Sequence, residues 1–545
     1  MKFRILLVAI FTLSILNCKT EQKNEAKPKL VVGIVVDQMR YDYLTRFYDR
    51  YGEGGFKLLM NQGFLATNAN FDYVPTYTAV GHTSIYTGTT PQSHGIISNN
   101  WYDKYEKKFI YCVDDANYQS VGIKGGAGQK SPYRMQTTTI TDQLKLAQNQ
   151  RGKTIGVAIK DRSSILPAGH TADGAYWYQG GDDNKFITST FYMDSLPQWV
   201  NDFNASKKVD TYLSQPWETL YDINTYTSSI ADDNPYERPF RGEEKPTFPH
   251  DLPKLRKENG NYSIISATPF GNSLTLDFAI AAIEGESLGK GEFTDFLAVS
   301  FSSTDYVGHQ FGPDAVEIED TYLRLDKDLE NFLNYLDQNI GTGNYTVFLS
   351  ADHGTVQVPA YLQSLKIPAH YFNMMNYKTH ITNELSNRFG SSDLIENVSN
   401  FQIFLNKEEL KKRRLSVDEV SEFLVDVSIN YEGIYKAITA KTFKQTEFNS
   451  GVLHKIQQGY NQKYSGDVIL VPLPSTLGGS RQGTSHGSGY SYDTHVPILF
   501  YGNGIQKGKS SEPYYIRDIA PTLATLLQVE FPNGTTGKVI AEALK

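Results

Sequence analysis

Tyr345-Thr-Val-Phe-Leu-Ser-Ala-Asp-His-Gly354 is a short apolar run that stops on an acid, an imidazole and a glycine. From Tyr345 to Leu349 the residues are aromatic, β-branched or aliphatic without sustained polar alternation, which is the pattern of a central parallel strand buried on both faces. Asp352 and His353 then fall at its carboxyl end, where open α/β sheets collect their ligands. Taken alone, the pair also fits a turn-capping Asp beside a surface His. Three further apolar runs end in the same chemistry: Leu30-Val-Val-Gly-Ile-Val-Val36 meets Asp37, the run 296–300 precedes Asp305 and His309, and the run 468–471 is followed after a loop by His486. The repetition predicts an α/β fold, a mostly parallel central sheet sandwiched by helices, with a site along one rim.

The 545 residues are 40% hydrophobic and 13% aromatic, enough to bury a large core. Length alone would allow three or four domains at about 150 residues each, but the alternation of strands and helices argues for fewer. A formal charge of −8 gives no basic footprint for nucleic acid. Two cysteines exclude a disulfide framework. At the amino terminus Lys2 and Arg4 precede the apolar run 5–16, too short to span a bilayer and matching a secretory signal. Ile15-Leu16-Asn17-Cys18 resembles a bacterial lipobox, with Asn17 where a small residue is usual. Lipid attachment at Cys18 and ordinary signal cleavage both remain open. The expected organisation is a signal peptide over 1–18, a flexible tether over 19–28 and a catalytic body over 29–545. The protein is then exported, either periplasmic or held on a membrane through lipid at Cys18.

Along the body, 39–62 carries apolar residues near helical spacing and completes an opening β-α unit. Thr78 begins a helix, where its hydroxyl could serve merely as an N-cap. A hairpin is expected over 101–114, a helix over 137–148, and a buried strand over 153–159 that ends in Lys160-Asp161-Arg162. Two cations at such a rim are commonly solvated, but these face the same edge as the acids. Residues 171–265 read as an insertion with a helix near 197–203. A helix to Glu284 and a strand over 294–301 follow. The clearest amphipathic helix is 315–338, through Ile318, Tyr322, Leu325, Leu329, Phe332, Leu333 and Leu336. A second insertion, near 360–465, contains helices at 383–389 and 417–428, strands at 401–405 and 434–439, and a Lys/Arg-rich run at 407–414 read as a solvated face. A strand over 495–501 and a helix over 515–527 close the chain.

The strand ends thus assemble Asp37, Thr78, Asp305, His309, Asp352, His353 and His486. Carboxylates and imidazoles without thiolate suit Zn²⁺ in an open catalytic site. Seven groups exceed one tetrahedral ion, and a natural division puts Asp305, His309 and His486 on one ion and Asp37, Thr78, Asp352 and His353 on another. This constellation resembles the alkaline phosphatase superfamily, specifically its bacterial periplasmic monoesterases with a Thr nucleophile. The resemblance implies two Zn²⁺ ions, Thr78 as nucleophile, and Asn99, Lys160 and Arg162 as contacts to the phosphoryl oxygens. Because Asn100 follows Asn99, either amide could face the phosphate. Thr78-Ala-Val-Gly-His82 lacks the Cys/Ser-x-Pro-x-Arg frame of sulfatases. The expected activity is hydrolysis of phosphate monoesters through a phosphothreonine, with small phosphorylated metabolites as partners. The alternatives are a phosphodiesterase or nucleotide pyrophosphatase of the same superfamily, and a non-enzymatic lipid-anchored protein that binds phosphate or metal.

Overall fold

The computed structural model describes residues 27–479 and 481–545. The predicted signal segment, Cys18 and nearly all of the predicted tether lie outside the described residues. Pro28, assigned to that tether, is instead buried, and its carbonyl accepts the Thr294 hydroxyl at 2.6 Å.

Five parallel strands form the centre of the main sheet: β1 Leu30–Val36, β2 Thr154–Ala158, β3 Gly174–Gln179, β4 Asp295–Phe301 and β5 Tyr345–Ser350. Their order is β5-β1-β4-β2-β3. β6, Ile498–Gly502, joins β5 antiparallel, and the short strands Phe64–Ala66 and Gly508–Ser510 extend that edge. On the far side Lys185–Ser189 and Ser120–Val121 complete the sheet. Every residue of β1, β4 and β5 is buried, as unbroken apolar runs covered on both faces require.

Four helices carry or support the rim: α1 Thr78–Thr87, α2 Asp161–Ala168, α3 Ser303–Phe311 and α4 Val316–Leu336. The seven apolar residues read as the inner stripe of α4 are all buried, each worth roughly 1.5–3 kcal/mol relative to exposure.

Several elements differ from the sequence reading. The segment 39–62 is broken into Asp42–Arg46, Tyr48–Arg50 and Phe56–Gln62, and Gly52, Gly54 and Gly55, poor helix formers, separate the last piece from the first two. β3 and Lys185–Ser189 lie inside the stretch read as an insertion, yet they belong to the main sheet. Their aromatic residues supply its core: Tyr176, Trp177 and Phe186 are buried, and Phe186 stacks on Phe278 at 3.8 Å. Val468–Pro472, in turn, belongs to a separate four-stranded sheet with Ile395–Ser399, Gln402–Leu405 and Ile434–Thr439. Its alternate face packs on that second unit's own apolar cluster, a local environment that an apolar run cannot distinguish from the main core. The charged helix Lys407–Arg413 exposes Lys411 and Lys412.

Candidate metal and nucleophile site

Strand register brings the site together. Val35 pairs with Ser350 and Val36 with Phe301, so two more residues put Asp37 opposite Asp352, while Ala158 beside Ser300 puts Lys160 at the same level. α3 then begins immediately after β4, and its Asp305 and His309, one helical turn apart, share a face, with His309 Nε2 3.2 Å from Asp305 Oδ1. α1 is pressed against the end of β5 at Gly81, where any Cβ would collide with the Asp352 backbone. That close approach sets Thr78 beside the acids.

Two sets of donor atoms lie mutually within 4.8 Å: Asp37, Asp352 and His353, and Asp305, His353 and His486. His353 Nε2 is 3.5 Å from Asp37 Oδ1 and 3.4 Å from Asp352 Oδ2. Its ring stacks on that of His486 with centroids 3.4 Å apart. His353 therefore belongs to both groups: it lies with Asp37 and Asp352, as in the division read in the sequence, and also with Asp305 and His486. The reason is its position directly after Asp352 at the middle of the rim.

Three imidazoles are held alike. Nδ1 of His309 donates to Thr484 O at 2.7 Å, that of His486 to Thr76 O at 2.7 Å, and that of His353 to Gly354 O at 3.0 Å. A carbonyl can only accept, so each neutral ring keeps its Nε2 lone pair for the site. Burial pushes His486 down to about 3, and burial followed by the adjacent His486 holds His353 well below the usual range. His309 differs: burial lowers it, but Asp305 carries it above its ordinary value.

The carboxylates show the opposite strain. Burial, then the facing Asp352, pushes Asp37 well above the ordinary carboxylate range, and burial lifts Asp352 to about 7 against the pull of Lys160. Asp305 lies well below that range, since His309 and Lys160 outweigh the effect of its burial. Asp37 Oδ1 and Asp352 Oδ2 are buried with no hydrogen-bond partner. Buried orphan acceptors are rare in folded proteins, and here they face neutral imidazoles. This donor set, all nitrogen and oxygen, fits a cation.

Thr78 is buried, and its hydroxyl lies 3.5 Å from His353 Nε2 and 3.5 Å from Arg162 Nη2. Tyr77, not Thr78, occupies the N-cap position of α1, which removes the capping explanation for that hydroxyl. Asn99 Oδ1 accepts the Ala79 amide at 2.8 Å, next to Thr78, whereas Asn100 begins the Asn100–Asp103 strand of the hairpin and is exposed. Lys160 is no solvated rim residue: it is buried, with Nζ 2.6 Å from Asp37 Oδ2 and 2.5 Å from Asp305 Oδ2. Arg162 is half-buried and is steadied by Tyr111, whose hydroxyl accepts from Nη1 at 3.1 Å and donates to Asp161 at 2.5 Å.

Two participants escaped sequence reasoning. Gln38 ties the two donor groups together, its backbone N–H reaching Asp352 Oδ1 at 3.1 Å and its Nε2 reaching Asp305 Oδ1 at 2.5 Å. Nothing in a lone Gln announces this. His82 bonds Thr78 O at 2.8 Å and Ser300 Oγ at 2.8 Å and lies 3.4 Å from Asp352 Oδ2. Its place four residues after Thr78 on one helix was a usable signal.

Comparison with known proteins agrees with this geometry. The family model described as type I phosphodiesterase / nucleotide pyrophosphatase matches residues 31–489. "Alkaline phosphatase PhoV" of Synechococcus elongatus is 47% identical over 522 residues, covering 95% of this chain and 94% of that protein. "Calcium-transporting ATPase" of Myroides odoratus is 50% identical over 523 residues, covering 95% of each. "Alkaline phosphatase PafA" of Elizabethkingia meningoseptica is 44% identical over 530 residues, covering 96% of each chain. A crystal structure of PafA superposes with a TM-score of 0.92, covering 95% of this chain and 99% of that one. The rim of acids and imidazoles, the Thr at the head of α1 and the whole-chain likeness together show that the chain belongs to the type I phosphodiesterase / nucleotide pyrophosphatase family of the alkaline phosphatase superfamily.

Proposed function

We propose that the protein is an alkaline phosphatase that hydrolyses phosphate monoesters through a phosphothreonine at Thr78, in a site that binds two Zn²⁺ ions. The observation that carries this reading is the Thr78 hydroxyl, buried between His353 and Arg162 and unused as a helix cap. The names of PhoV and PafA support the same activity. The Myroides relative carries a different name, that of a calcium-transporting ATPase. Among the described residues no helix is long and apolar enough to cross a membrane.

Asp37, Asp352 and His353 would hold one ion, and Asp305, His309 and His486 the other, with His353 close to both. Zinc bound there supplies Lewis-acid charge that acidifies a hydroxyl or water and offsets charge on the transferred group. The Thr78 hydroxyl gives its proton to solvent and its oxygen forms a bond to phosphorus as the bond to the alcohol oxygen breaks; the departing alkoxide takes a proton back from water and leaves as the alcohol. A water molecule then cleaves the phosphothreonine, restores the hydroxyl and yields inorganic phosphate. The N-terminus of α1 favours negative charge on the Thr78 oxygen. Arg162 presents a fork to two phosphoryl oxygens. Asn99, its Oδ1 engaged by Ala79, is left with its NH₂ as a donor. Lys160 uses two protons on Asp37 and Asp305 and retains a third.

Small phosphorylated metabolites are the proposed substrates. The signal-like run 5–16 and Cys18 support export, with a lipid anchor at Cys18. A paired assay of an aryl phosphate monoester and the matching diester, with zinc supplied, tests the activity: strong preference for the monoester is expected, and preference for the diester would overturn the reading.

A further inference from the structure

Beside His486 of the donor set lies a cavity of about 220 Å³ between the catalytic rim and the four-stranded unit. Val74 and Tyr77, on the segment that enters α1, line it together with Val452, Leu477, His486 and Gly489. The Tyr77 ring meets the His486 ring edge-on at 5.6 Å, so the cavity begins where the donor set ends.

The polar groups on this lining are mostly engaged by the protein itself. Tyr490 donates to Pro472 O at 2.7 Å, Ser488 to Asp493 Oδ2 at 2.6 Å, and Gln402 Oε1 accepts from the Gly466 amide at 2.7 Å. Thr476 Oγ1 and Asp493 Oδ1 lack partners. The apolar lining combines aliphatic side chains such as Val74, Val452 and Leu477 with the rings of Tyr77, Phe401 and Tyr460. For scale, an apolar cavity of about 150 Å³ accepts benzene. His486 belongs both to the donor set and to the cavity lining, so a group carried by a phosphoryl group held at the donor set has this space within reach.

Resting on the monoesterase reading above, we propose that this cavity is the subsite for the alcohol portion of the substrate and selects monoesters of aryl or alkyl alcohols over those of small polar ones. Selection here is by apolar contact and shape, which discriminates modestly, in the range of tenfold to a few hundredfold.

The test is calorimetric titration of the zinc-loaded enzyme with benzylphosphonate and with methylphosphonate, inert analogues that differ only in the group entering the cavity. The wild-type protein should bind benzylphosphonate about tenfold or more tightly. Val452→Trp, which fills the space, should erase that difference while leaving methylphosphonate binding intact, which also shows that the variant is folded. Leu477→Ala, which enlarges it, should instead keep the benzyl preference and improve binding of naphthylmethylphosphonate. Equal wild-type affinities, or equal losses for both ligands in Val452→Trp, would overturn the subsite even if the enzyme hydrolyses monoesters. Failure to hydrolyse methyl or benzyl phosphate at all would remove the monoesterase reading and the subsite with it.

Discussion

The Thr78 hydroxyl is surrounded by reactive partners and has no capping duty, so its removal separates chemistry from folding. Thr78→Ala should lose nearly all phosphatase activity, whereas Thr78→Ser should keep much of it, and thermal unfolding should place both within a few degrees of wild type. An Ala variant close to wild-type turnover would contradict a covalent role. Arg162 Nη2 lies 3.5 Å from that oxygen. A charge-assisted hydrogen bond contributes on the order of 1.5–3 kcal/mol, or roughly ten- to more than a hundredfold in rate. Arg162→Ala should lower monoester hydrolysis by about that factor and diester hydrolysis far less, because a diester lacks one of the charged oxygens; equal losses would show that Arg162 does not set the preference. At this scale Asp37, Asp352 and His353 were legible because they follow apolar runs closely, and Asp305, His309 and His486 because the same residue types recur after further such runs. Gln38 was not, since its role arises from an unusual backbone with φ of 65° right after Asp37, and positive φ outside glycine leaves no compositional trace.

At the scale of elements, the strand ends converge three carboxylates on one buried ammonium. Lys160 answers Asp37 and Asp305 directly, but Asp352 Oδ2 has no hydrogen-bond partner. Chelation should therefore lower the melting temperature, because ligand binding to the folded state is stabilising and its loss leaves like charges together. Lys160→Ala should widen the gap between metal-free and zinc-loaded protein, since the ammonium offsets the carboxylates most when no cation is bound. A gap no larger than in wild type would contradict this placement of Lys160. The central strands could be read from sequence because burial on both faces leaves an unbroken apolar signature. β3 could not, because its Gly-Ala-Tyr-Trp-Tyr-Gln composition resembles the aromatic, polar stretch that follows it. Val468–Pro472 carried the right signature for the wrong sheet, as local pattern reports burial but not which core provides it.

Across the whole molecule, the α4 side of the sheet carries a second buried acidic cluster, distant in sequence from the rim motifs. Glu237 and Glu317 each bury an oxygen without a partner, and His250 joins Glu243 at 2.8 Å to Glu317 at 3.2 Å. Burial, then Glu317, pushes Glu237 up to about 10, with Asn234 opposing and Asp232 adding to the rise; burial lifts Glu317 to about 7 against His250. Below about pH 4.5 the Glu237 carboxyl is protonated in both states. Above it the unfolded chain releases the proton while the folded chain retains it, so stability falls as pH rises until the folded group ionises near 10. Glu237→Gln should then gain melting temperature relative to wild type progressively between pH 5 and pH 9; a constant difference would contradict a neutral Glu237. The enzyme as a whole is expected to use two successive displacements at phosphorus, one by Thr78 and one by water. The stereochemical course of phosphoryl transfer from an oxygen-isotope-chiral monoester to an acceptor alcohol measures this directly. Net retention at phosphorus is the predicted result, and net inversion would mean direct attack by the acceptor with no phosphothreonine.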